Sequence, residues 1–545
     1  MTAVEEKDHF FRNLQDNEDL MTGILGNSVD LVKRRITFHE HKNVQAICYY
    51  TDGLVDVTQI ELFISDLLYK GNLLLHHSTL PSGPPLALLK EHMLTNASFQ
   101  VVKEVSQAVD GILSGVAVLI LDGSDEVFVI QTKGWEKRGV NEPQTEQVVR
   151  GPRDGFTESI RTNTALVRRR IRDPKLRIEQ MNIGTRSKTD INIAYIEDIV
   201  KEGLVEEVKK RLRDIRIDAI LESGYIEELI EDAPRSPFTT VQSTERPDKV
   251  ASSILEGRVA IFVDNTPFVL VVPSFFWQFL QASDDYYSRY MTGSFFRFIR
   301  YLAFVLSLTL TSIYVMLVSF HQEMIPTQLI LTIASGREVV PFPVLLEALM
   351  MEISFELMRE AGLRMPKPVG QAVSIVGSLV IGQAAVQAGI VSPFMVIIVA
   401  LTGIASFAIP NYAASFSIRL IRFPLLIAAG TLGLLGFSAM FALLAIHALT
   451  LRSFGESYLA PATPFQPKDQ KDTIIRFPWW KMQARPVGVT GDEKRVGDHQ
   501  FPEPPNTDPY SKEGGKSKES DPKGGGQSPR KKKRHVIKLK GEDEE

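Results

Sequence analysis

Three groups of side chains in this sequence have types and spacings that could do chemistry. The first is rich in arginine. It runs RGPRDGFTESIRTNT from Arg150 to Thr164, and GTRSKTD follows at Gly184–Asp190. Arg150, Arg153 and Arg161 could hold an anion while Glu158 worked as acid or base. The competing reading is a helix whose charges pair with neighbours or with another subunit. It is preferred, because no nucleophile, metal cluster or glycine-rich phosphate loop accompanies the arginines. No catalytic residue, metal or cofactor is therefore expected, and the chain is not expected to be an enzyme. The second group is Glu352, Glu356 and Glu360, spaced by four and so aligned as one stripe on a helix. Such a stripe lies at a membrane interface or lines a watery passage, with Arg359, Arg364 and Lys367 close enough to neutralise part of it. The third is Gln371, Ser374, Ser378 and Gly382, at spacings of three and four. This narrow polar stripe either faces a conduction path or packs helix against helix.

The second group precedes, and the third lies within, the stretch that dictates the architecture. From Pro368 to Ile418 there is no Asp, Glu, Lys or Arg. A bilayer core of about 30 Å takes about 20 helical residues to cross, so this run can form a membrane hairpin, turning at Gly389–Pro393. Tyr301–Phe320 reads as an earlier crossing. Phe423–Leu451, with His447 its one ionisable group, reads as a later one or as a re-entrant pair. With both ends in the cytoplasm the number of crossings is even, and four is the simplest count: Tyr301–Phe320, Val369–Gly389, Pro393–Ile409 and Phe423–Leu451. His447 is expected at the interface. The aromatic approach Phe275–Trp277 and Phe295–Phe298, with Arg297 and Arg300, suits the headgroup zone.

Composition agrees once it is read by region. The 545 residues are 44% hydrophobic and 23% charged, with a net charge of −4, but charge dominates up to about Asp285, apolar residues dominate Phe295–Leu451, and polar residues return afterwards. No basic groove with stacked aromatics points to nucleic acid. The single cysteine, Cys48, sits in an apolar run and reads as a buried inert thiol. The first residues carry no apolar signal segment, so the amino-terminal half is expected to stay in the cytoplasm.

That half reads as α+β. Leu31–Phe38 and Val44–Tyr50 are strands, and a helical pattern runs through Leu54, Ile60, Phe63, Leu67 and Leu68. Val101–Leu113 reads as a helix, and Val116–Leu121 with Glu126–Gln131 as a hairpin. The grammar then returns: a strand at Ile191–Tyr195, a helix from Gly203 to Leu212, and a segment Ile254–Asn265 that echoes Ile112–Gly123, with Phe268–Val272 as the second hairpin arm. Two related α/β subdomains are expected from this, the plan that a duplication would produce. Asp232–Ser236 and Gln242–Pro247 read as loops. The expected plan is a polar flexible arm at 1–26 and subdomains at 27–145 and 146–285. An all-α transmembrane domain at 286–455, a C-terminal segment at 456–487 and a disordered charged tail at 488–545 complete it. The tail's Arg530–Arg534 run fits an anionic lipid surface.

Several long motifs occur in order: RGPRDGFTE, RTNTALVRRRI, GTRSKTD, LMMEISFELMREAG (Leu349–Gly362), MPKPVGQAVSIVG (Met365–Gly377), VSPFMVIIVALTGIASF (Val391–Phe407) and PFQPKDQKDTIIR (Pro464–Arg476). In these the sequence resembles the A subunit of spore germinant receptors, the GerA family, with the stage V sporulation AF type as a close branch. The likeness spans about Gly26 to Pro486. It implies a multi-pass protein of the spore inner membrane, with its amino-terminal domain and carboxy-terminal tail on the cytoplasmic, spore-core side. It implies partnership with a transporter-like B subunit and a lipoprotein C subunit. It also implies a homo-oligomeric ring acting as a nutrient-gated cation channel in germination, or, for the AF branch, an accessory role. The PKDQKDT pattern favours the receptor subunit. Arg150, Arg153, Glu158, Arg161, Asn163 and Asp190 are the family-motif polar residues. Gln371, Ser374, Ser378 and Gly382 are the candidate pore lining, with Glu352, Glu356 and Glu360 at its vestibule.

Overall fold

The computed structural model describes residues 9–38, 44–77, 99–134, 140–365, 382–491 and 494–495. Gln371, Ser374, Ser378 and the Arg530–Arg534 run lie outside them.

Leu31–Phe38 (β1), Val44–Thr51 (β2), Phe99–Val102 (β3), Ala117–Leu121 (β4) and Val127–Ile130 (β5) form an antiparallel sheet in the order β1-β2-β4-β5-β3. Alternation along each strand assigns its side chains to two faces. Val118 and Ile120 of β4 pack with Leu14–Leu25 (α1) and Val105–Leu113 (α3), while Ala117, Leu119 and Leu121 pack toward Val57–His77 (α2). Cys48 is buried in this second face, and burial pushes its thiol up to about 12.

A second sheet is built from Leu176–Ile183 (β6), Thr189–Ile196 (β7), Gln242–Thr244 (β8), Val259–Val263 (β9) and Val269–Val272 (β10), in the order β6-β7-β9-β10-β8. This is the strand order of the first sheet. Helices again cover both faces: Ile160–Arg168 (α4) and Pro247–Leu255 (α7) on one, Leu204–Asp214 (α5) and Ser223–Ile230 (α6) on the other. Each closing hairpin follows a helix through a glycine at positive φ, Gly115 at 86° and Gly257 at 98°. A Cβ there would approach the carbonyl oxygen of Leu54 to 2.7 Å or of Val489 to 2.8 Å, so both positions combine a left-handed backbone with a close approach that only glycine tolerates.

Three local expectations are corrected. The segment read as a flexible arm contains α1, capped by Asn13, whose side chain accepts from the Gln15 amide, and anchored by fully buried Met21. The pattern at Val101–Leu113 divides into strand β3 and a helix that begins at Val105. Gln242–Thr244 is not loop but the edge strand β8 against β10, too short to show a period of two.

From Asp284 the chain is helical: Asp284–Tyr287 (α8), Tyr290–Phe320 (α9), Thr327–Arg337 (α10), Val344–Arg364 (α11), Pro393–Phe407 (α12) and Tyr412–Thr450 (α13). Two of these, α9 and α13, are long and apolar enough to cross a membrane. α11 runs antiparallel to α9: Thr311 bonds Glu352, while Tyr314 and Val318 pack near Val344 and Ala348. α13 doubles back on itself. Ser417 near its start meets Thr239 (Oγ to Oγ1, 3.2 Å), and His447 near its end meets Ser236 (Nε2 to Oγ, 2.9 Å). A straight helix would separate Ser417 and His447 by about 45 Å at about 1.5 Å per residue, yet their partners are neighbours in one short loop. The reversal is at Gly433, whose φ of 61° and ψ of −139° are not helical. At that end the Leu434 amide donates to Nε2 of His321, just past α9 (3.2 Å). Several helix bounds differ from those expected, while residues 369–381 of the expected arm Val369–Gly389 lie outside the described residues. The first long helix begins at Tyr290 rather than Tyr301, Val344–Arg364 is a continuous 21-residue helix, and the last apolar run, for which a single helix and a re-entrant pair were both open, is a helical hairpin that begins at Tyr412 rather than Phe423.

After α13 the chain returns to the second subdomain. Ser453 donates from Oγ to the Thr240 carbonyl (2.8 Å) and accepts from the Ser274 amide (3.0 Å).

Candidate functional site

The polar centre of the helical half is an ion-pair cluster. Glu352 of α11 is fully buried, accepts from the Thr311 hydroxyl at 2.8 Å and lies 2.7 Å from Nη2 of buried Arg422. That last contact is an ion pair without hydrogen-bond alignment. Glu356 pairs with Nη1 of Arg419 (2.6 Å) and Nη2 of Arg422 (3.3 Å). Arg359 stands beside them, donating to Ser406 Oγ (3.2 Å) and lying over the Phe407 ring at 4.2 Å. The other acids of α11 are paired as well. Glu347, fully buried, takes Nη1 of Arg337 at 2.6 Å and both the amide and hydroxyl of Ser392, while Glu360 pairs with Arg364 on the exposed surface. A carboxylate removed from water needs such partners.

The acidic stripe is therefore not a row of free carboxylates in the protomer, and the helical half contains a deeply buried ion-pair cluster. Glu352 and Glu356 are committed to arginines, and the cluster sets three guanidiniums against two carboxylates. Nε and Nη1 of Arg422 and Nη2 of Arg419 have no hydrogen-bond partner among the described residues. Of the candidate pore lining only Gly382 is described; its nearest neighbour is Val396, on α12.

At the other end of α9 the PFQPKDQKDTIIR motif acts as a clamp. Arg297, fully buried, donates through Nη1 to the carbonyl and carboxylate of Asp472 (2.7 and 2.9 Å), and its Nε lies 3.2 Å from Asp285. Arg300 also pairs with Asp285, Tyr286 donates to Asp472 (2.7 Å), and Tyr301 donates to the Thr473 carbonyl (2.9 Å). The aromatic approach expected at headgroups is thus, at Arg297, an interior ion pair.

The arginine-rich motif does not converge on one site. Arg150 and Glu158 are exposed, and Arg153 lies 4.0 Å from Glu142 across an open surface. Arg161 reaches the other subdomain, pairing with Asp52. Asn163 is buried and spans Thr157, accepting from its amide (2.7 Å) and donating to its carbonyl (2.6 Å). Asp190 accepts from Gln180 Nε2 (2.8 Å) on the neighbouring strand. Sequence reasoning missed a second, buried arginine that joins the two subdomains. Arg168 is fully buried and grips Asp30 with Nε and Nη2 at 2.8 and 3.0 Å, also reaching Ser28 Oγ and the Leu176 carbonyl. Its signal was the RRR run, in which one arginine of three points inward.

The family model described as Bacillus/Clostridium GerA spore germination protein matches residues 19–487. The chain is 46% identical over 481 residues to spore germination protein KA of Bacillus subtilis, covering 88% of this chain and 87% of that one. It is 32% identical over 475 residues to stage V sporulation protein AF of the same organism, covering 87% and 94%. Among solved structures, the N-terminal domain of the A subunit of the Bacillus megaterium spore germinant receptor GerK3 is 36% identical, with 50% of this chain and 98% of that chain covered and a TM-score of 0.39. With a family match running from the first helix to the segment that clamps α9, the chain belongs to the GerA family of spore germination proteins.

Proposed function

We propose that this chain is the A subunit of a nutrient germinant receptor. It crosses the spore inner membrane several times and assembles with copies of itself into a ring, beside a transporter-like B subunit and a lipoprotein C subunit. The ring opens to cations when nutrient binds. The observation that carries this reading is the unmet polarity of the helical half. Arg419 and Arg422 are buried with guanidinium nitrogens that have no partner among the described residues, and the same is true of Ser312 Oγ on α9. Against lipid alone such groups are strongly disfavoured; enclosed water or a sister protomer would satisfy them. Greater identity to spore germination protein KA than to stage V sporulation protein AF supports the receptor branch.

A second reading, a non-conducting scaffold of the AF type, is favoured by the neutralised acidic stripe and by the contacts that tie the soluble half to α9 and α13. Reconstitution in liposomes with the partner subunits separates the two. Nutrient-triggered flux that Ser378→Trp blocks supports conduction through the polar stripe. Rings that pass no ion under the same conditions support the scaffold. If the ring conducts, cation selectivity arises from groups other than the paired Glu352 and Glu356, and a reversal potential measured in Glu360→Gln tests the remaining acid of the stripe.

A further inference from the structure

The returning C-terminal segment lies along the root of α9. Tyr301 donates to the Thr473 carbonyl (2.9 Å), Arg297 Nη1 to the Asp472 carbonyl (2.7 Å) and Ser294 Oγ to the Arg476 carbonyl (3.0 Å). The segment therefore follows the helix for about two turns. Thr473 and Arg476 face inward, 3% and 2% exposed, whereas Ile474 and Ile475 between them are 49% and 55% exposed. On the helix Phe295, Phe298 and Leu302 are exposed as well, each one residue from a position that bonds the segment. A single exposed apolar side chain is ordinary, but a group gathered in one place marks an interaction surface.

The length of α9 sets the depth of this group. Its 31 residues span about 46 Å at about 1.5 Å per residue, against about 30 Å for the acyl core of a bilayer and about 40–45 Å with headgroups. After Phe320 come the polar residues His321, Gln322 and Glu323. Counting back from Phe320 the about 20 residues that cross the acyl core reaches Tyr301, the residue that bonds Thr473. The start of α9 then falls in the headgroup layer, and Ile474 and Ile475 fall at its inner edge. This depth rests on the reading that α9 crosses the bilayer.

We propose that Ile474 and Ile475, with Phe295, Phe298 and Leu302, dock on the lipid bilayer where headgroups meet acyl chains. The C-terminal segment is then a membrane-surface element as well as a clamp, one side fastened to α9 and the other resting on lipid. Arg289, just before α9, and Lys471, on the segment, are both exposed. They bring cationic groups to the layer that holds lipid phosphates.

The test uses the full-length protein in a Cys48→Ser background, with one new cysteine at a time carrying a nitroxide, in vesicles of phosphatidylglycerol and phosphatidylcholine. Molecular oxygen concentrates among acyl chains and a nickel chelate stays in water, so the ratio of their effects on nitroxide relaxation reports depth. The bonds that hold the segment to α9 use main-chain carbonyls and the Asp472 side chain, so Ile474→Cys and Ile475→Cys leave them in place. Both labels should favour oxygen, as should Val305→Cys on the exposed side of α9. Arg186→Cys, exposed in the soluble half, should favour the nickel chelate. Labels at 474 and 475 that behave like Arg186→Cys while Val305→Cys favours oxygen would overturn the docking and leave the crossing of α9 intact. A preference for nickel at Val305→Cys as well would overturn the crossing and the docking together. Labels at 474 and 475 shielded from both reagents would mean that protein, such as a second copy of the chain, covers the patch, and would also overturn the proposal.

Discussion

Arg422 and Glu352 face each other at 2.7 Å with their side chains 1% and 0% exposed, joining the first half of α13 to the middle of α11. Breaking such a pair leaves the other charge stranded, at a cost of about 3–5 kcal/mol, whereas replacing both partners by apolar groups of similar size is often near neutral. Glu352→Gln and Arg422→Met should each lower the melting temperature of the detergent-solubilised protein markedly. The double variant Glu352→Met with Arg422→Met should recover most of the loss. A double variant as unstable as the sum of the singles would mean that the two side chains act independently.

The reversal of α13 makes a geometric prediction. In a Cys48→Ser background, the pairs Thr239→Cys with Ser417→Cys and Ser236→Cys with His447→Cys should both cross-link under mild oxidation. These positions are joined in the structure by contacts of 3.2 and 2.9 Å. A continuous helix would allow at most one of the two. Gly433→Leu should impair the same hairpin, because φ is 61° there and a Cβ would meet Phe320 at 3.0 Å.

The soluble half should show a pH dependence with a defined sign. Burial first, then the charges of Glu231 and Glu222, push the Glu227 carboxyl up to about 8. Burial pushes Glu231 up to about 7 against the restraining Thr240 amide, helped by the charges of Glu228 and Asp232. The folded chain therefore keeps protons that the unfolded chain releases above about 4.5, and stability falls as pH rises from there through 8. Glu222 behaves oppositely: hydrogen bonds from Ser223, Gly224 and Thr266 outweigh its burial and hold it low, so its contribution is lost only in acid. The melting temperature should be higher at pH 6 than at pH 8.5, and Glu227→Gln should remove most of that difference. An unchanged difference in Glu227→Gln would place the titration elsewhere.

What the sequence disclosed follows from how locally each feature is encoded. Leu31–Phe38 and Val44–Tyr50 are legible as strands because their β-rich runs are bounded by breaks. The similarity of Ile112–Gly123 to Ile254–Asn265 is legible because a helix end, a glycine and a hairpin recur at fixed spacing; both segments occupy the same place in their sheets. α1 was hidden because its buried face is carried by few apolar residues and includes Asn17 and Glu18. A re-entrant pair was open for the last apolar run, but the position of its turn at Gly433 was hidden because the next residues, Leu434 and Leu435, are as apolar as the helix around them. Neutralisation of Glu352 could not be read from neighbours in sequence, since the arginine that meets it lies on another helix. Arg359, Arg364 and Lys367 were the local candidates; Lys367 lies outside the described residues, and of the other two only Arg364 is paired with an acid of the stripe.

The clamp on α9 yields the last prediction. Asp472 accepts from Arg297 and Tyr286, so it fastens the C-terminal segment to the root of the first long helix. Asp472→Asn keeps the shape and the backbone carbonyl that Arg297 also uses, but removes the charge opposite a fully buried guanidinium. Asp285 remains to pair with Arg297, so the helix should stay folded while the segment loosens. Limited proteolysis should then cut within 464–476 faster by about tenfold, the change expected from weakening a charged hydrogen bond by about 1.4 kcal/mol. Spores carrying the variant should respond to nutrient more slowly if this clamp relays the state of the soluble half to α9. Faster proteolysis with normal germination would confine Asp472 to a structural role, and unchanged proteolysis would show that Asp285 alone suffices to hold Arg297.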